Sequence, residues 1–196
     1  MQSRPLKICI IPSKDVSDRA IALSCTLGGL FVLAAQLCAP HLSLYTSEFP
    51  DVQEVETSLK SLAKTTKPFP LSATSCELWR DVWLGINYKK DEAIAHFQHA
   101  VVERLNPLRK GLLRERDRAR LENLSEEEKR NILTFGDRHT GDLFGPHLTL
   151  TKFERAVSEL PEISLDDYSF TVHELGLFAW GAHGTAIELL DSFTLG

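Results

Sequence analysis

Two nearly identical pentapeptides stand in this chain, Pro40-His41-Leu42-Ser43-Leu44 and Pro146-His147-Leu148-Thr149-Leu150. Each sets an imidazole and a hydroxyl two residues apart between leucines. In a β-strand, residues i and i+2 share a face. His41 and Ser43 then project one way while Leu42 and Leu44 enter a core, and the second copy repeats the pattern. Two such strands facing each other supply two histidines and two hydroxyls to one cleft, which suits acid–base chemistry on a phosphate. One imidazole takes a proton from water and the other gives one to the leaving oxygen. An unperturbed pKa of about 6.5 suits histidine to both tasks. The hydroxyls of Ser43 and Thr149 donate hydrogen bonds where the phosphate oxygens gain charge. A single histidine between apolar residues reads as a packed strand residue. The second copy, with the same proline, hydroxyl and leucines, points to chemistry.

The paired His-x-Ser/Thr-x strings resemble the twin motifs of the 2H phosphoesterase superfamily, whose members include RNA 2′,3′-cyclic phosphodiesterases and the so-called 2′-5′ RNA ligases. The run Lys7-Ile8-Cys9-Ile10-Ile11 and the run from Phe170 to Phe178 are similar to that family's outer strands. Ser43 stands where the family more often has threonine, which keeps the hydroxyl. The resemblance implies two pseudo-symmetric lobes, each an antiparallel sheet backed by helices, with the motif strands lining a groove between them. It also implies catalysis by His41 and His147, with His147 as base toward water, His41 as acid, and Ser43 and Thr149 on the phosphate. Hydrolysis of a 2′,3′-cyclic phosphate on RNA ends or nucleotides is the leading activity it implies. The alternatives are 2′-5′ phosphodiester cleavage or ligation on oligonucleotides, action on small cyclic nucleotides, and nucleotide binding without turnover.

Other residues have weaker claims. Tyr45 continues the His41/Ser43 alternation and reads either as a base-stacking ring or as strand packing. Lys152 and Arg138 flank the second motif as possible phosphate contacts or surface charges. Between Arg104 and Arg120 seven basic residues meet only Glu115 and Asp117. That stretch is a candidate for an RNA backbone, or a solvated helix face. His96 and His99 share a helical face without an evident third ligand, and neither a metal nor a cofactor is expected.

The elements that must position these groups follow from periodicity and punctuation. Leu6 to Pro12 is predicted as a buried strand. Ser17-Asp18 is predicted to cap a helix through Leu23, with Gly28-Gly29 beyond it. Asp51 to Lys67 has helical period and stops at Pro68. Leu71–Trp79 and Val82–Tyr88 are predicted to form a hairpin around Arg80-Asp81. Asp91 to Leu105 is predicted as an amphipathic helix, Ser125-x-x-Glu128 as a capping box, and Glu154 to Leu160 as a short helix. Two closing strands are expected over Tyr168–Ala179 and Thr185–Leu195, joined by Gly181 to Gly184.

Strands interleaved with helices and joined by hairpins indicate an α+β class rather than a doubly wound parallel sheet. The chain reads as one domain of two lobes over residues 1–196, with a charged helical insertion over about 90–134. Its 196 residues, 43% of them hydrophobic, suffice for a large core, and the net charge of −5 excludes a general nucleic-acid coat protein. Cys9, Cys25, Cys38 and Cys76 have no metal-binding spacing and read as reduced. With no leader-like start and no apolar run long enough for a span, a cytoplasmic monomer without membrane contact is expected.

Overall fold

β1 (Arg4–Ile11) is apolar on both faces apart from Arg4 at its start and Lys7, as suits a strand with neighbours on both sides. In the computed structural model, which describes residues 3–34, 37–157 and 162–196, it lies between β2 (Leu42–Phe49) and β8 (Glu174–Trp180). The full sheet has seven strands in the order β4-β5-β6-β2-β1-β8-β9, all pairings antiparallel. Here β4 is Ala73–Trp79, β5 is Trp83–Tyr88, β6 is His147–Lys152 and β9 is Ala186–Thr194. Two short strands, β3 (Phe69–Leu71) and β7 (Phe170–Val172), pair separately. The α+β class with antiparallel sheets is therefore observed.

The sheet is built as two halves. One is β4-β5-β6, the other β2-β1-β8-β9, and a single pairing, Leu42 with Leu148, joins them at the motif strands. Helices lock the halves by crossing over. α1 (Lys14–Leu27) follows β1 yet packs on β6; α3 (Glu92–Leu105) follows β5 yet packs on β2. α2 (Val52–Thr65) packs against α3 and β9. The leucines of both motifs, with Ile8, Ile10, Ile94, Val101 and Leu105, fill one core beneath the sheet.

Local signals account for most boundaries. Asp51 and Asp91 cap α2 and α3 by accepting backbone N–H groups. Arg80 and Asp81 both take positive φ, 52° and 58°, in the three-residue turn over 80–82 between β4 and β5. The Ser125/Glu128 capping box opens α5 (Glu126–Phe135). α1 corrects one expectation. It begins at Lys14 under a Ser13 cap, because Pro12 already ends β1; the Ser17 hydroxyl bonds back to the Pro12 carbonyl. The short helix expected from Glu154 is not seen over 154–157, and its remainder falls outside the described residues. α3 belongs to the core packing, so the charged stretch that departs from it starts at Asn106 and includes α4 (Glu115–Arg120) and α5.

Candidate active site

The two motif strands share an irregularity that the pattern of alternation does not reveal. In the β1–β2 ladder, Cys9 pairs with Ser43 but Ile8 pairs with Tyr45, so Leu44 is an extra residue. In the β5–β6 ladder, Gly85 pairs with Thr149 but Leu84 pairs with Thr151, so Leu150 is extra. Each motif thus ends in a β-bulge, and the residue after it turns from one face to the other. His41, Ser43, His147 and Thr149 stand on the face away from the helical core. Lys7 and Cys9 of β1, Asn87 of β5, Trp79 of β4 and Phe178 of β8 share that face by register.

After Leu42 and Leu148 the motif strands part, and each free edge is closed by the segment leading to the other motif. Beside β6, Leu30 N–H donates to the Lys152 carbonyl at 2.7 Å, and the Thr151 hydroxyl donates to the Phe31 carbonyl at 2.8 Å. Beside β2, the Asp137 carboxylate accepts the Thr46 N–H at 2.8 Å, and the Gln98 amide donates to the Leu44 carbonyl at 3.3 Å. Backbone groups that a continuous ladder would have satisfied are paired in this way.

Both imidazoles are set identically. His41 Nδ1 lies 2.7 Å from the Ala39 carbonyl, and His147 Nδ1 lies 2.8 Å from the Gly145 carbonyl. A carbonyl only accepts, so Nδ1 carries the proton in each ring and Nε2 of the neutral imidazole keeps its lone pair. Burial lowers His41 to about 3, with the nearby Lys7 ammonium as the second cause. Burial lowers the less enclosed His147 to about 4, opposed by its Gly145 hydrogen bond. Both shifts favour the neutral form of the ring. Each also has an aromatic neighbour. The Trp79 ring meets His147 edge-on at 4.9 Å between centroids, and Phe178 lies 6.5 Å from His41. Gly85 makes room for Trp79: a Cβ there would run into the indole.

Lys7 is the site residue that motif reasoning missed. It is 6% exposed, its Nζ lies 3.2 Å from His41 Nε2, and it donates to the Ser43 hydroxyl. Burial lowers its pKa. A lone lysine within the apolar run from Pro5 to Ile11 was the available signal.

The family model described as "Protein of unknown function (DUF1045)" matches residues 44–179. The chain belongs to this family. DUF1045 lies within the 2H phosphoesterase superfamily, in agreement with the twin motifs. No curated protein matches the chain. Among solved structures, LigT of E. coli complexed with 3′-AMP aligns at a TM-score of 0.62 and 16% identity, over 100% of this chain and 99% of LigT. LigT complexed with ATP aligns at 0.64 and 16%, over 99% of each chain. The TT0787 protein of Thermus thermophilus aligns at 0.63 and 14%, over 97% of each. At these identities the likeness is one of fold.

The other expected contacts fare unequally in this DUF1045 chain. Tyr45 does not reach the site. The bulge at Leu44 turns it into the core, where it is fully buried against Phe49 and its hydroxyl donates to the Phe135 carbonyl. Lys152 stays on the site face, 5.1 Å above the Trp83 ring. Arg138 donates to His139 at 2.8 Å and lies 3.4 Å from Glu128. Much of the basic stretch faces inward. Arg109 donates to Asn106 and to the carbonyls of Leu112, Leu133 and Thr134. Arg114 is buried with Asp117 at 2.5 Å, and Arg120 pairs with the same aspartate. Arg114 and Arg116 also lie over the Trp180 ring at 5.3 and 5.2 Å. His99 pairs with Glu103 on an exposed turn of α3. Among the described residues no helix is long and apolar enough to cross a membrane.

Proposed function

We propose that the chain is a phosphodiesterase that opens 2′,3′-cyclic phosphates by paired-histidine acid–base catalysis, with no metal in the mechanism. One observation carries this reading. The two Nε2 atoms belong to rings fixed by the same Nδ1 bond on one sheet face, with Ser43 and Thr149 beside them. One imidazole takes the proton of an attacking water as its oxygen bonds to phosphorus. The other, in the imidazolium form that a bound phosphate anion favours, protonates the departing ribose oxygen from Nε2 as the P–O bond breaks. Ser43 and Thr149 donate to the non-bridging oxygens. Titration of such a pair belongs to both rings together.

Nucleotide-sized substrates are favoured over long RNA, because Arg109, Arg114 and Arg120 are committed to internal partners. The crystal structures of LigT with 3′-AMP, NADP+, ATP and phosphate support a nucleotide or phosphate ligand for the same fold. The test is a product assay with 2′,3′-cyclic mononucleotides, cyclic-ended RNA and 2′-5′ dinucleotides in the presence of a chelator. A 2′- or 3′-monophosphate product from the cyclic substrates is expected. Turnover of only the 2′-5′ dinucleotides would move the assignment to the linear-diester alternative.

A further inference from the structure

The arginines above the site face stand close together, with too few carboxylates to neutralise them. Trp180 follows Phe178 by two residues on β8 and shares its face. Arg114 and Arg116 both lie over that indole, at 5.3 and 5.2 Å. Arg114 leads on to Asp137, 3.8 Å away, whose carboxylate also accepts the His139 N–H at 3.2 Å. The His139 ring in turn accepts from Arg138 Nε at 2.8 Å. One chain of contacts thus runs from Arg116 to Arg138.

The carboxylates within reach are already engaged. Asp117 holds Arg114 and Arg120, and Asp137 holds the Thr46 N–H at 2.8 Å. Glu128 lies 3.4 Å from Arg138 but also accepts the Ser125 N–H at 3.0 Å in the α5 cap. Among the described residues no carboxylate lies within ion-pairing distance of Arg116. Arg120 Nε is buried without an acceptor there. Burial lowers both Arg116 and Arg138, and Arg120 adds to the shift in each. Arg80, from the β4–β5 turn in the other half of the sheet, also acts on Arg138. The cluster adjoins the reacting centre, since Arg114 and Arg116 act on Lys7 and His139 acts on His147. Gathered cations of this kind focus a positive potential on one end of the cleft.

We propose that Arg116 and Arg138 bind a second phosphate of the substrate, so that the preferred molecule is a 2′,3′-cyclic phosphate that also carries a 5′-phosphate. This rests on the cyclic-phosphate reading above and adds a subsite beside the reacting centre. A cyclic diester has a single negative charge, whereas a phosphate monoester approaches two and offers three acceptor oxygens. Guanidinium forks match such a group through parallel N–H···O bonds. Arg138 has donors left beyond those directed at His139 and Glu128. On a ribose whose 2′ and 3′ oxygens close the ring, the 5′ oxygen is the one left to carry the monoester. The cations meet at one place and do not form a track, because Arg109 is turned inward onto the Leu133 and Thr134 carbonyls. A compact dianion fits that arrangement better than a strand of RNA.

The test compares adenosine 2′,3′-cyclic phosphate with the same nucleotide bearing a 5′-phosphate. The 5′-phosphorylated substrate is expected to have a kcat/KM at least about tenfold higher, in line with one charged hydrogen bond. Arg116→Gln and Arg138→Gln should each bring the ratio of the two substrates toward one, and Arg116→Lys should keep part of it. Equal kcat/KM for two substrates that are both turned over overturns the second site and leaves the phosphodiesterase reading intact. A ratio that survives both substitutions in folded protein overturns the assignment to these arginines. If neither substrate is opened, the phosphodiesterase reading fails and binding decides the subsite alone. Calorimetry on the unaltered protein should then show adenosine 3′,5′-bisphosphate binding at least about tenfold more tightly than adenosine 3′-monophosphate. Equal affinities overturn the proposal. A cyclic-ended oligonucleotide preferred over the 5′-phosphorylated mononucleotide, with a steep loss of affinity in salt, overturns it in favour of an RNA backbone.

Discussion

Leu44 and Leu150 occupy the same place in the two halves of the molecule: each is the extra residue of a β-bulge that ends its motif. Up to that residue the alternation of the pentapeptide holds, with imidazole and hydroxyl on the site face. Beyond it the faces exchange. Tyr45 and Thr151 consequently sit in the interior, fully buried. The bulges end the alternation of imidazole and hydroxyl on the site face and turn the next residue of each strand into the packing.

Tyr45→Phe tests this directly. The variant loses the hydrogen bond to the Phe135 carbonyl and is expected to unfold with about 1 kcal/mol less stability. Its KM for a cyclic nucleotide should not change. A raised KM in a fully folded variant would restore Tyr45 as a substrate contact.

His41→Ala and His147→Ala are each expected to lower turnover of the cyclic substrate by about 10²- to 10⁴-fold, the usual share of a positioned acid or base. Circular dichroism and melting curves should remain those of a folded protein. Near-normal turnover by either one would remove it from the mechanism.

Acid should destabilise the fold through the same two rings. Their folded pKa values, about 3 and about 4, lie below the ordinary 6.5. As pH falls through 6.5 the unfolded chain binds protons that the folded chain refuses, so stability declines until the folded values are reached. For buried His41 the slope is at most about 1.4 kcal/mol per pH unit, and for the more open His147 it is smaller. Denaturant titrations between pH 7.5 and 4.5 measure this. His41→Gln should show a visibly shallower decline than the parent, and equal slopes would refute the assignment.

Gly85→Ala should cost about 1–3 kcal/mol, in the range of core overpacking. The added Cβ would meet the Trp79 ring and come within 2.7 Å of the Leu148 carbonyl. Displacement of Trp79 from His147 should appear as a change in tryptophan fluorescence. A variant with unaltered emission and melting temperature would show that the strands yield without moving the indole.

Asp137→Ala should cost about 3 kcal/mol, read from thermal melts. It strands the Thr46 N–H and leaves buried Arg114 with Asp117 alone. Adding Arg114→Met should give a double variant less destabilised than the sum of the two single changes, since the uncompensated charge goes with it. Strict additivity would mean that the two residues do not share one interaction.

The pentapeptides were legible because chemistry and strand period coincide in them. Hydroxyl, imidazole and leucine alternate at the spacing that divides a strand into a wet face and a dry one. The helices over 52–65 and 92–105, the β4–β5 turn and the α5 cap were legible for the same local reason. Each rests on groups a few residues apart. The role of Tyr45, stacking or packing, stays open in the sequence because a bulge leaves no mark in a short hydrophobic run; only the register against a neighbouring strand places its ring in the core. The basic stretch could be read either way in sequence because charge count does not tell which arginines find buried carbonyls and carboxylates. Lys7 lay 34 residues from the nearest motif histidine and carried no motif of its own.

By itself, then, the sequence determined the candidate reactive groups, their spacing within each strand and the class of fold able to hold them, all consequences of backbone geometry over a few residues. The tertiary structure decided which strands are neighbours, where each alternation ends, and that a lysine from a third strand reaches one histidine and not the other. Those are matters of ladder register and buried charge, and both are settled only when distant segments meet.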